Sequence, residues 1–346
     1  MAIPPPNPKP KPRASRPILV ERDDADALAG LWRHAMSSWA GGSFSRAQLN
    51  RSVELAADGA LRSALQNRCV LGVRHRREWV GLALIDLEQA ELHGPFVAPD
   101  WQGQGLGRRL VTAAERRSAD FQLLRLAVSA FVPSLPFFEA CGYEPLPGTR
   151  EELQAGAGLP VMTLRRRFPR RQGRFGRRVA SLCRELGLPA DYGRRRALPL
   201  QPEASRLVPA GTDCFDRPQQ MTAETRNAWD RMQAAASADG VTLQLVSAFR
   251  SVDYQAGLIR RKLDAGQGVG DILAVSAAPG FSEHHTGRAL DLTTPGAAAL
   301  EPAFEETAAY RWLTQHAGAH GFRQSYPAGN HHGIAFEPWH WYHAGL

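Results

Sequence analysis

The chain has 346 residues, 43% hydrophobic and 22% charged, which is longer than a typical single domain and apolar enough for two ordinary cores. No apolar run approaches the roughly 18 residues of a membrane span, so no transmembrane helix is expected. A formal charge of +8 comes almost wholly from arginine, the only lysines being Lys9, Lys11 and Lys262, and this bias does not point to a specific nucleic-acid partner.

In chain order, Met1 to Arg16 is rich in proline and basic residues and has no apolar core of a secretory signal, so it reads as a disordered tail and the expected location is cytoplasmic. The scattered Cys69, Cys141, Cys183 and Cys214, with no C-x-x-C pair, fit a reducing compartment and do not look like metal ligands. From Pro17 to Phe168 the pattern is α/β. A helix is predicted near Asp24 to Trp39, with strands at Cys69 to Arg74 and Trp79 to Asp86. In Leu92 to Leu110 a strand leads through a glycine-rich loop into a helix opening near Gly107, and such a helix N-terminus with exposed N–H groups is an anion cradle.

Val97-x-Pro99 followed by Gln102-x-x-Gly105-x-Gly107 resembles the acetyl-CoA pyrophosphate loop of the GNAT acetyltransferase superfamily. The resemblance implies a mixed-sheet fold that holds acetyl-CoA through Val97, Gln102, Gly103, Gln104, Gly105, Leu106, Gly107 and Arg108. Leu124 to Val128 and then Pro136 to Tyr143 resemble the superfamily's closing Phe-Tyr-x-x-x-Gly-Phe segment. Phe138 takes the slot where many members have the tyrosine that protonates the departing thiolate, and Phe131 falls near the usual asparagine. Phenylalanine donates no proton. Glu91 and His93 are candidate bases, and both an active N-acetyltransferase and a degenerate fold stay open.

Leu164 to Arg178 is crowded with arginine, and Val179, Leu182, Cys183 and Leu186 mark one face of a short helix. Residues 169–195 are expected to be a solvated basic linker, ahead of a second domain from Arg196 to Leu346.

In that domain, His284, Asp291 and His340 supply two imidazoles and one carboxylate, the three-ligand stoichiometry of catalytic zinc. The segment Ser282-x-His284-x-x-Gly287-x-Ala289-x-Asp291 with Glu337-Pro338-Trp339-His340 resembles the VanY-like D-Ala-D-Ala carboxypeptidases, whose wider group includes the hedgehog domain. Ser247 to Ser251 with Gln255 resembles their Tyr-Arg-Ser-x-x-x-Gln segment, Phe249 standing in the tyrosine slot, and Trp312, Gly321-Phe322 and Ser325-Tyr326-Pro327 follow the family's order. The resemblance implies an α+β zinc peptidase. In it, His284, Asp291 and His340 hold zinc, Glu337 is the general base, Arg250 stabilises the oxyanion, and Ser282 and Gln255 hold the substrate's C-terminal part. Substrates would be small peptides from peptidoglycan or its precursors, trimmed of a C-terminal D-amino acid. Two rival readings remain: an N-acetyltransferase whose zinc domain only recognises peptide, and a zinc-fold binding module without hydrolysis. Glu337 and His340, three residues apart, would face opposite sides of a regular strand, so a bulge or strand end is expected between them. Of the other histidines, His285 is expected to point away and His331-His332 to lie on a loop surface; His343 falls where the family often has an aromatic residue. Trp339 and Trp341 could be packing or substrate contacts.

Overall fold

The computed structural model describes residues 15–20, 24–39, 60–123, 125–146, 152–153, 160–167 and 174–345; the expected tail lies outside them apart from Ser15 and Arg16. The chain divides into two compact units between residues 171 and 172.

The first unit is built on one mixed sheet. Its elements are β1 (Ile18–Leu19), α1 (Ala25–Trp39), α2 (Arg62–Gln66), β2 (Val70–His75), β3 (Glu78–Asp86), β4 (Glu91–Val97), α3 (Leu106–Asp120), β5 (Arg125–Phe131), α4 (Leu135–Ala140), β6 (Glu144–Pro145), β7 (Glu152–Leu153) and β8 (Pro160–Arg167). The strand order is β1-β2-β3-β4-β5-β8-β6, with β7 on β8. The predicted helix and strands therefore appear. β3 is buried on both faces, as its continuous apolar run Val80 to Ile85 demands. α3 buries Leu106, Leu110, Val111, Ala114 and Ser118, one stripe at helical spacing. β4 and β5 are the parallel pair, and they share a single register position, Glu91 with Ala127. Just beyond it the Glu91 carboxylate accepts from the Ser129 amide (3.1 Å) and hydroxyl (2.6 Å), taking the place of a ladder bond where the strands part.

The second unit is α+β: α5 (Arg174–Glu185), α6 (Tyr192–Arg195), β9 (Val208–Thr212), β10 (Pro218–Met221), α7 (Ala223–Ala238), β11 (Gln244–Ser247), α8 (Val252–Asp264), α9 (Val269–Val275), β12 (Ala289–Thr293), α10 (Ala308–His316), β13 (Phe322–Gln324) and β14 (His340–His343). An antiparallel sheet in the order β11-β12-β14-β13 carries one core, where Trp229, Met232, Leu245, Leu292, Phe304, Leu313 and Trp341 meet. Thr222 and Ser251 cap α7 and α8 by accepting from the third residue onward, which satisfies an amide that the first turn leaves free.

The linker expectation for 169–195 needs correction. α5 is not solvated: Val179, Cys183 and Leu186 join Leu188, Tyr192 and Leu198 in a second core with Ile259, Ile272, Phe281, Tyr326 and Ile334. Val179 lies so close to Gly280 that a Cβ there would come within 2.3 Å of it. The tight approach puts α5 directly against the loop that leads to Ser282.

Asp213 ties down the turn between β9 and β10. Its carboxylate, fully buried, accepts from the amides of Phe215 (2.9 Å) and Arg217 (3.0 Å), from Arg217 Nε (2.7 Å) and from Gln219 Nε2 (2.8 Å). Burial alone would raise its pKa, but these donors outweigh it and hold the carboxyl below its ordinary value. Such a group stabilises the fold above the unfolded pKa of about 3.9, and the contribution disappears as pH falls through the lower folded value. Asp213→Asn, whose amide would turn a donor toward these donors, is expected to cost about 2 kcal/mol at neutral pH. The gap from the parent should narrow below about pH 3.9, as urea unfolding at stepped pH would read.

Candidate metal centre and active site

Asp291 stands at the middle of β12 and pairs with Ser247 of β11 on one side and His340 of β14 on the other. This register brings together residues 49 positions apart in sequence. His284 arrives from the short 3₁₀ turn Glu283–Thr286 just before β12, which ends at Gly287 in the left-handed region (φ 64°). A Cβ on Gly287 would meet Leu207 at 2.8 Å, so glycine is needed both for the turn and for that packing. β14 begins at His340, and the amide of His340 bonds back to the Glu337 carbonyl (3.2 Å); the expected strand end is there, and it lets both side chains face one site.

The donor atoms of His284, Asp291 and His340 all lie within 4.8 Å of one another, and all three residues are buried. Nε2 of His284 is 3.1 Å from Asp291 Oδ2, and Nδ1 of His340 is 3.0 Å from Asp291 Oδ1. The outer nitrogens are spoken for. His284 Nδ1 lies 2.5 Å from the Ala248 carbonyl and donates to it, which leaves Nε2 as the lone-pair nitrogen. His340 Nε2 is 3.1 Å from Glu283 Oε2, and Glu283 is itself paired with Arg323 (3.2 Å). Carboxylate and carbonyl partners behind metal-binding imidazoles are what orient them, so this donor set fits a divalent ion of the zinc type. Glu283 was not singled out in the sequence; buried beside His340, its only signal was being an acid in the same turn as His284.

The electrostatics follow from burial and these contacts. Burial, helped by Arg250, pushes the His284 pKa down to about 4. For His340 burial acts in the same direction but is overcome by hydrogen bonds to Asp291 and Glu283, which raise it to about 10. Asp291 is held well below its ordinary value by His284 and Arg250 against the effect of burial. Glu337, with Oε2 3.8 Å from His340 Nδ1, is pushed up to about 7 by burial. A carboxylate poised near neutrality beside His284, Asp291 and His340 is suited to accept and return a proton.

Arg250 follows β11 and is anchored at Nε by Ser247 Oγ (3.0 Å), while Nη2 donates to His284 Nε2 (2.7 Å) and to Asp291 Oδ2. His285 does not join the His284, Asp291 and His340 cluster: Gly280 N donates to its Nε2 (3.1 Å) and its Nδ1 donates to the Arg250 carbonyl (2.6 Å), fastening the two loops together. Gln255 is buried on α8; its Nε2 donates to the Ala277 carbonyl (2.8 Å), and its Oε1 has no hydrogen-bond partner among the described residues. Gln255, Ser282, Arg250, Glu337, His284, Asp291 and His340 share one cavity of about 480 Å³. Trp339 lines it, whereas Trp341 is core. His343 lies away from the cavity wall, with Nδ1 3.3 Å from Thr225 Oγ1 and its ring on Phe322. His332 is half-buried, with Nδ1 2.8 Å from the Arg196 carbonyl, and His331 is exposed.

In the first unit the loop from Val97 to Arg108 takes the expected shape. Gly103 and Gly105 have φ of 71° and 77°, and Gly105 is the residue before α3. Gln102 Nε2 donates to the Val97 carbonyl (3.1 Å), Gln104 Nε2 to that of Asp100 (3.0 Å) and Arg108 to that of Ala140 (2.6 Å), so these side chains shape the loop. Gly107 faces Phe137, with a Cβ there only 3.2 Å away. Phe138 is buried and packs edge-on against Phe137 and Tyr143.

Residues 218–346 match the family model described as VanY, D-alanyl-D-alanine carboxypeptidase, and residues 43–165 match the GNAT acetyltransferase domain model. The Bacillus subtilis (strain 168) protein YodJ, a carboxypeptidase by name, is 33% identical over 35% of this chain and 45% of its own length. The D-alanyl-D-alanine carboxypeptidase of Enterococcus faecalis (strain ATCC 700802 / V583) is 30% identical over 32% of this chain and 44% of its own. The chain thus spans less than half the length of these curated relatives. A solved LdcB LD-carboxypeptidase is 31% identical, covering 41% of this chain and 70% of that one, with a TM-score of 0.39. No helix among the described residues is long and apolar enough to cross a membrane. The chain therefore joins a GNAT-type acetyltransferase domain at 43–165 to a domain of the VanY carboxypeptidase family at 218–346.

Proposed function

We propose that the second unit is a zinc-dependent carboxypeptidase that removes a C-terminal D-amino acid from peptides derived from peptidoglycan or its precursors. The observation that carries this reading is the convergence of His284, Asp291, His340 and the near-neutral Glu337 in one cavity. His284 through Nε2, His340 through Nδ1 and the Asp291 carboxylate would hold the ion. When bound, zinc supplies Lewis acidity toward a carbonyl and makes water a nucleophile near neutral pH. Glu337 takes the proton of the attacking water and returns it to the departing amine. The Arg250 guanidinium, fixed by Ser247, presents positive charge to the oxygen that becomes an oxyanion, a contribution of about 3 to 4 kcal/mol in such sites. Ser282 and Gln255 hold the part of the substrate beyond the scissile bond. Incubating the zinc-loaded protein with D-Ala-D-Ala, a tetrapeptide and a pentapeptide tests the reading and sorts dipeptidase, L,D- and D,D-activity. Intact peptides in all three would overturn it.

For the first unit we propose acetyl-CoA binding at Val97 to Arg108, by the backbone N–H groups that Gly103 and Gly105 turn toward the start of α3. Transfer to an amine would have to proceed without a hydroxyl at Phe138, and the Glu91 carboxylate is already engaged by Ser129. Gly105→Trp is expected to weaken acetyl-CoA binding at least tenfold by calorimetry, because the αL backbone is strained by any side chain and the indole would fill the approach to the cradle. Unchanged affinity in a folded variant would place the cradle elsewhere.

A further inference from the structure

The cavity that holds His284, Asp291 and His340 is lined by one arginine and one lysine, Arg250 and Lys262. The charge of Arg250 is directed at Asp291 and its Nε at Ser247, so it belongs to the metal centre. Lys262 is different. Its ammonium donates to Ser276 Oγ (3.1 Å) and forms no ion pair with a carboxylate among the described residues, whereas Arg178, Arg195, Arg217, Arg226 and Arg323 of the same unit each do. An ammonium has three protons to donate, so that one bond leaves two.

Position adds direction. Gln255, Leu258 and Lys262 lie three and then four residues apart on α8, one face of the helix, and all three line the cavity. Seven residues at 1.5 Å place Lys262 about 10 Å along the helix from Gln255. Gln255 commits one N–H to Ala277, its Oε1 has no partner among the described residues, and at most one neutral N–H is left there for an anion. A charged donor for the negative end of a ligand stands further along the same wall.

We propose that Lys262, with the Ser276 hydroxyl it holds, forms an anion subsite that takes a carboxylate of the substrate's C-terminal residue. The proposal rests on the peptidase reading for the direction of the substrate. The carboxylate has two sources, the peptide's own terminus or an acidic side chain on the leaving residue.

The experiment uses the zinc-loaded full chain in a Glu337→Gln background, so that ligands stay intact, and measures binding by calorimetry. Three ligands separate the sources: a blocked tripeptide ending in D-Ala-D-Ala, its C-terminal amide, and a blocked tripeptide amide ending in D-Glu, whose only carboxylate is a side chain. Lys262→Met is expected to weaken binding of one or both carboxylate ligands about tenfold, the loss of one charge-assisted hydrogen bond, and to leave the neutral amide unchanged. Lys262→Arg, which keeps the charge, should recover most of it. Equal loss for the amide, no loss for either acid, or no carboxylate-dependent binding by the parent would overturn the subsite. Cleavage is read separately with Glu337 intact. Lys262-dependent binding without cleavage removes the peptidase reading and keeps the subsite, whereas cleavage with Lys262-independent binding does the reverse.

Discussion

Replacing Glu337 by Gln in the zinc-loaded protein is expected to lower kcat for peptide hydrolysis by about 10²- to 10⁴-fold, while zinc stays at one ion per chain. The two readouts separate because Glu337 is not among the three clustered donors, its nearest oxygen lying 3.8 Å from His340 Nδ1. Glutamine keeps the size and the backbone bonds of this position, from Glu337 N to the Tyr326 carbonyl and from Gln324 Nε2 to the Glu337 carbonyl, so the turn into β14 should hold. What it removes is a carboxylate whose pKa, pushed up to about 7 by burial, suits both halves of a proton shuttle. Parent-like hydrolysis by a zinc-replete Glu337→Gln protein would take this residue out of the chemistry.

The second large effect concerns the metal itself, and it should be graded. His340→Ala deletes a donor and is expected to abolish stoichiometric zinc at micromolar free metal, measured by elemental analysis after gel filtration. Glu283→Gln keeps every donor but weakens the partner behind His340 Nε2, where loss of such an orienting group typically costs about 10- to 100-fold in metal affinity. Competition with a chelator would resolve that step. Full zinc retention in His340→Ala would show the ligand set to be wrong, and equal affinities for the parent and Glu283→Gln would show that the imidazole is held without its carboxylate.

The contrast between these two residues shows what could be read from the sequence. His284, Asp291 and His340 stand out because few side chains bind zinc and because their neighbours repeat a family's pattern; the break between Glu337 and His340 followed from strand alternation. The register that sets Asp291 opposite His340 and Ser247 arises from long-range pairing, which no local pattern encodes. Glu283 acquires its role only when β14 brings His340 to it. The smallness of Gly287 serves the turn and the packing of Leu207. The apolar stripe of α5 was visible as a stripe. Its partners, Ile259, Ile272 and Phe281, lie more than about 70 residues later, and an amphipathic helix does not announce what will cover it.

That seating of α5 sets where the second unit can be cut from the first. A shortened chain starting at Arg196 would begin after Val179, Cys183, Leu186 and Tyr192, and so would leave the apolar surface of Phe281, Ile259 and Ile272 facing water. Exposed patches of that kind drive association, and here the loosened wall would include the loop from Gly280 to His284. A chain starting at Gln172 keeps its own cover. Between the two starting points the difference should be seen first as solubility and monodispersity, before any assay of catalysis.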